Sequence, residues 1–179
     1  MDRSFIPQAL RRLAGDERGL ASIEFALTVG FIVIAMLNTV DIAKYLHQRM
    51  QVENATQMGA QAAYEACDTS VLPATTKCTG LSSAVSTAIQ STSLGTAIQL
   101  KSGSPAEGYY CLNGSNELVK VSEVSSKPAD CSAVGSASVE PGDYIKVETS
   151  YTFKPIFPGI SVGGMLPSTI TASAMMRMQ

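Results

Sequence analysis

The chain has 179 residues, room for one domain and an anchor, and its net charge of −2 does not suggest the basic surface of a nucleic-acid-binding protein. Charged residues make up 16% of it, below the usual quarter, and an apolar stretch near the N-terminus accounts for part of that deficit.

Residues Met1 to Gly19 read as a short polar leader. It carries Arg3, Arg11, Arg12 and Arg18 against Asp2, Asp16 and Glu17. Arginine excess beside an apolar span keeps that end in the cytoplasm, while only Lys44 and Arg49 follow closely on the other side. From Leu20 to Val40 the side chains are apolar or small, apart from Glu24 and a few hydroxyl and amide groups. As a helix this run spans roughly 30 Å, the thickness of a bilayer core. It exceeds the apolar core of about 7–15 residues in a secretory signal, and no A-x-A site follows it. A plain single-pass anchor fits the pattern but leaves Glu24 unexplained, because an acid within a membrane segment needs a reason.

Gly19 followed by L-A-S-I-E-F resembles a type IV prepilin cleavage site of the Flp (tight-adherence) kind: glycine, four residues, then glutamate and an aromatic. The wider segment G-L-A-S-I-E-F-A-L-T-V-G-F-I-V-I resembles the start of TadE-like minor pilins, or pseudopilins. The resemblance implies a cut between Gly19 and Leu20 by a membrane prepilin peptidase. Leu20 becomes the new N-terminus, with Glu24 and Phe25 as its fifth and sixth residues. A carboxylate about one turn from a free α-amino group can neutralise that charge on its own chain or a neighbour's, and so fix axial register between subunits. The implied partners are the peptidase, other pilin and pseudopilin subunits, an inner-membrane pilus assembly platform and membrane lipid. The implied place is the bacterial inner membrane, with the N-terminus in the cytoplasm and the head in the periplasm, or an extracellular pilus.

Beyond Val40 the helical pattern continues to about Ala66 without proline. Apolar residues recur at Ile42, Leu46, Met50, Val52, Ala55, Met58 or Gly59, Ala62 and Ala66, which predicts an amphipathic stalk packed on the C-terminal sheet. Asp41 and Lys44, three apart, are expected to pair weakly, for a few tenths of a kcal/mol. His47 is expected on the solvated side.

The remaining residues form the head. Four cysteines, Cys67, Cys78, Cys111 and Cys131, lie on one side of the span, which points to two disulfides in an oxidising compartment. Loop proximity favours the sequential pairing Cys67–Cys78 and Cys111–Cys131. Leu81, Ala84, Val85, Ala88 and Ile89 predict a short helix started by Thr79 or Gly80, and Thr96 to Leu100 begins a strand. The runs on either side of N-G-S-N predict a hairpin turned at Asn113-Gly114. The strongest strand is Asp143 to Lys154: Ile145, Val147, Thr149, Tyr151 and Phe153 alternate with polar residues. A Pro/Gly-rich link leads to a last strand, Thr169 to Met178. Strand, link and terminal strand also resemble the C-terminal part of TadE-like proteins.

The predicted fold is thus α+β and pilin-like. A long hydrophobic N-terminal helix, membrane span plus stalk, packs on a C-terminal antiparallel sheet. Its segments are leader 1–19, span 20–40, stalk 41–66 and head 67–179. No nucleophile, zinc-helix or phosphate-loop motif occurs, so neither catalysis nor a metal or other cofactor is expected. The expected function is that of a structural minor pilin in adhesion and biofilm formation. The alternative is an uncleaved single-pass envelope protein with a periplasmic binding head.

Overall fold

A computed structural model describes residues 17–67 and 69–179. Most of the expected leader, residues 1–16, lies outside the described residues. One unbroken helix, α1 (Glu17–Ala66), begins the described chain. Its 50 residues extend about 75 Å at about 1.5 Å each. No proline interrupts it, and three hydroxyl and amide donors in its first half bond to the helix itself. Thr28 Oγ1 donates to the Glu24 carbonyl, Asn38 Nδ2 to Ile34 and Thr39 Oγ1 to Ala35. Such back-bonding satisfies polar groups where surrounding hydrocarbon cannot.

A single-turn helix α2 (Ala74–Lys77) and a ten-residue helix α3 (Leu81–Gln90) follow. Gly80 precedes α3 with φ 93°, a left-handed conformation that costs glycine little. Five strands complete the head: β1 (Ile98–Leu100), β2 (Ala106–Leu112), β3 (Leu118–Glu123), β4 (Gly142–Thr152) and β5 (Thr169–Arg177). All pairings are antiparallel, and the α+β arrangement expected from the sequence is the one observed. β4 is the central strand. β5 follows it from Tyr144↔Arg177 to Thr152↔Thr169. On its other side, β2 takes the beginning of β4 and β1 its end, and β3 lies outside β2.

The core lies between one sheet face and a layer formed by the second half of α1 and α3. Val52, Ala55, Ala60 and Ala63 from α1 meet Val85 and Ile89 from α3 and Ile145 and Val147 from β4. The period-two alternation of β4 puts Ile145, Val147 and Thr149 in this core, with Phe153 just past the strand end. The Thr149 hydroxyl is not left dry. It lies 2.6 Å from Thr56 Oγ1, which also donates to the Val52 carbonyl.

Three expectations change. The inward face of α1 is not the Ile42–Leu46–Met50 stripe, whose members are exposed; so is Met58. Asp41, Val52, Ala55, Thr56, Gly59, Ala60 and Ala63 face inward instead. Both sets have helical spacing, but small residues allow close approach to the sheet. The Asp41–Lys44 pair also does not form: Asp41 is buried in the head's link, and Lys44 donates to the Lys154 carbonyl. Finally, the hairpin does not turn on Asn113-Gly114 alone. Its loop runs from Asn113 to Glu117, and Asn116, not Gly114, takes positive φ (59°). The Asn113 side chain closes it by accepting from the N–H groups of Ser115 and Glu117. This local side-chain closure replaces the tight two-residue turn.

Disulfides join Cys67 to Cys78 and Cys111 to Cys131. The first closes the chain directly after α1. The second ties β2 to the segment following β3.

Gly59 marks the tightest crossing. A Cβ there would lie 2.7 Å from Ile89 Cγ2 and 3.4 Å from Val147 Cγ1 and Val85 Cγ1. Gly59→Leu is expected to destabilise the head by about 2 kcal/mol through overpacking, outweighing the helix-propensity gain of about 1 kcal/mol. Thermal unfolding of the full chain in detergent, followed by circular dichroism, checks this.

Candidate functional site

The sequence-predicted residues fall at two ends of α1. Gly19, Leu20, Glu24 and Phe25 lie in its first turns. The cysteine pairs lie in the head, Cys67–Cys78 at the helix's far end. Gly19 and Glu24 are separated by about 7.5 Å along the axis, and Leu20 and Glu24 are one turn apart on one face. Gly19 and Glu24 are exposed, and Glu24 has no ion-pair partner among the described residues. Phe25, Leu27 and Phe31 are each more than 70% exposed, so among the described residues these side chains have nothing to pack on. It is long and apolar enough to cross a membrane. A surface so apolar over such a length requires lipid, another helix, or each in turn.

Where that surface ends, the head begins, and Asp41 joins them. Its carboxylate is fully buried. It accepts from the Ile156 N–H at 2.7 Å, from the Phe157 N–H at 3.2 Å and from the Ser161 hydroxyl. One turn earlier, Asn38 Oδ1 accepts from the Val162 N–H at 2.6 Å. One turn later, Lys44 Nζ donates to the Lys154 carbonyl at 2.9 Å. Tyr45 adds an edge-on contact with Phe153, ring centroids 5.1 Å apart. Residues 38, 41, 44 and 45 share one helix face, so the Pro/Gly-rich link from Lys154 to Val162 runs down α1 as a latch. Gly163 lets the link come close, because a Cβ there would lie 2.7 Å from both Asp41 Oδ2 and Pro155 Cβ. From the sequence, Asp41 is expected in a weak surface pair with Lys44, and this buried role is not. Two signals pointed to it: an acid directly after the span, and a double glycine in the link.

Burial pushes the Asp41 pKa up, but the Ser161 hydroxyl, the Ile156 and Phe157 N–H groups and the Lys44 charge together hold it below the ordinary value. A depressed carboxylate stabilises the fold above its unfolded pKa, near 3.9, and loses that contribution as pH falls through the lower folded value. The latch is therefore fully engaged at neutral pH. Asp41→Ala and Gly163→Val should each speed amide hydrogen exchange at Ile156, Phe157 and Val162, leaving the α3 amides protected. Unchanged exchange at the link would contradict the latch.

A second acidic centre lies deep in the head. Glu107 on β2 accepts from the Ala74 and Thr75 N–H groups and from Thr75 Oγ1, capping α2 inside the Cys67–Cys78 loop. Asp143 on β4 is 6% exposed, and its Oδ1 is buried with no hydrogen-bond partner. Burial first, then the charge of Glu107 and a hydrogen bond to it, push the Asp143 pKa up to about 6. The folded state thus holds a proton that the unfolded state has released between about pH 4 and 6, so stability declines as pH rises through that window. Asp143→Asn, which carries a permanent donor and no charge, should raise the melting temperature at pH 7.5 and change it little at pH 5. His47 is exposed, and among the described residues no cluster of His, Cys, Asp or Glu could hold a metal ion.

Neither a curated protein nor a solved structure matches the chain. Residues 19–61 do match a family model, that of the TadE-like proteins. The match begins at Gly19, takes in Glu24 and the Asn38–Asp41–Lys44 face, and ends within the core-packing part of α1. The resemblance noted in the sequence therefore holds over this stretch: α1 is similar to the corresponding segment of TadE-like proteins.

Proposed function

We propose that this chain is a minor pilin or pseudopilin, cut between Gly19 and Leu20 by a prepilin peptidase and required for assembly of a tight-adherence (Flp) pilus. Leader 1–19 is removed. Segment 20–40 spans the inner membrane before assembly and packs against other pilin and pseudopilin subunits afterwards. Stalk 41–66 carries head 67–179 on the periplasmic side, above the assembly platform in the membrane. The protein's part is structural and not catalytic.

One observation carries this proposal: within a helix that matches the TadE-like family model, the large apolar side chains around Glu24, among them Phe25, Leu27 and Phe31, are left exposed by the described residues. Glu24 provides a charge for the α-amino group that cleavage would create at Leu20, and Phe25 extends the apolar packing surface beside it. An exposed ion pair is worth about 1 kcal/mol or less, but one enclosed by apolar helices is strongly destabilised when either member is removed. That asymmetry suits a register device that acts only in the assembly. The head argues against a bare helical subunit and for a minor one.

Mass spectrometry of the chain co-expressed with its cognate peptidase tests the cut. The expected N-terminus is Leu20, and retention of residues 1–19 would leave the uncleaved, membrane-anchored head as the better description. In the processed protein, Glu24→Ala should abolish or strongly reduce pilus assembly while leaving membrane insertion intact. Normal piliation would remove the register role.

A further inference from the structure

The link that Asp41 holds is apolar where it faces outward. Ile156 is 48% exposed, Ile160 65% and Met165 88%. No charged side chain occurs from Pro155 to Met176. A surface loop that displays such tips without any charge is unusual for a surface in contact with water alone.

Its height on the molecule says what it meets. The link is bonded to α1 at Lys44, Asp41 and Asn38 in descending order. The steps from 44 to 38 cover about 9 Å along the axis. Its lowest fixed point, the Val162 N–H on Asn38, is therefore level with the last turn of the apolar segment. Lys44 and the exposed Lys154 lie at the upper end, where lipid phosphates would follow the hydrocarbon. The attachments along the helix run from the apolar Val162 at Asn38 below to the cations Lys44 and Lys154 above, the order of a bilayer's outer boundary. Asp41, which would otherwise face that boundary as a bare carboxylate, is enclosed by the same link.

We propose that the 155–166 link is a membrane-seating surface, with Ile160, Val162 and Met165 inserted among the lipids of the periplasmic leaflet around the exit of α1. This rests on segment 20–40 spanning the bilayer, and it adds a second contact that holds the head down against the membrane before assembly. Burying side chains of this size contributes about 25 cal/mol per Å² of apolar surface removed from water. Leaving the membrane for an assembly would then require these tips to be withdrawn or covered again.

The chain contains no tryptophan, so single-tryptophan variants report position directly. The full chain carrying Met165→Trp is reconstituted in phosphatidylethanolamine–phosphatidylglycerol vesicles with or without brominated acyl chains. Phe31→Trp marks the span, and Leu112→Trp marks the exposed hairpin end. Brominated lipid should remove most of the Met165→Trp emission, as it does for Phe31→Trp, and leave that of Leu112→Trp. Ile160→Trp gives the same readout should Met165→Trp fail to refold. If Phe31→Trp is quenched but positions 160 and 165 behave like 112, the seating surface is overturned while the span stands. If Phe31→Trp is not quenched, both fall. Quenching at 165 that disappears as the protein-to-lipid ratio rises would assign the surface to a second copy of the chain, and would overturn the lipid assignment.

Discussion

Asp41 joins the two halves of this protein, and their geometry depends on that join. A carboxylate removed from water is costly unless its oxygens are satisfied, and here two backbone N–H groups and a hydroxyl satisfy it. Because its partners lie more than a hundred residues away, the network fixes the head at one height and one rotation on α1. Asn38 and Lys44 repeat the attachment a turn below and a turn above, which makes the contact a line and not a point. A helix that leaves its own domain unsupported over its first half needs such a base.

Above the latch the helix changes character. Its inward face carries Ala55, Gly59, Ala60 and Ala63, which let the backbone approach α3 and β4 closely, and the larger apolar residues come from the opposing side as Ile89, Ile145 and Val147. Small residues on the helix and branched ones on the sheet interdigitate, so the packing is tight without long side chains on α1. The large apolar residues of the stalk, Ile42, Leu46 and Met50, are left outside and continue the exposed surface of the span upward. That continuity suits a helix whose partners are met along its length and not only within the bilayer.

The head balances this with covalent and electrostatic closure at its far end. One disulfide closes the chain just after α1, and Glu107 caps α2 within that same loop. The neighbouring Asp143 is kept protonated into mildly acidic conditions because it is buried against Glu107. Two acids near one another in a small domain are a local cost. Glu107 offsets part of it by satisfying the buried Ala74 N–H and, beside it, the N–H and hydroxyl of Thr75.

Much of this was legible in the sequence. The span, the uninterrupted stalk, the helix at Leu81 and the alternation of β4 follow from hydrophobic period, which depends on neighbours a few residues away. The similarity of α1 to TadE-like proteins was legible for the same reason, since it lies within one continuous stretch, residues 19–61. Three features were decided by tertiary structure. Period shows that residues share a face but not which of two apolar stripes the sheet will cover, and shape chose the one with small residues. Asn113-Gly114 suggested a tight turn, but the Asn113 side chain closed a longer one. Asp41 looked like half of an i,i+3 pair with Lys44, worth a few tenths of a kcal/mol. It became a buried anchor because only the folded chain brings Ile156, Phe157 and Ser161 to it, and desolvation makes those hydrogen bonds count for more than an exposed charge pair.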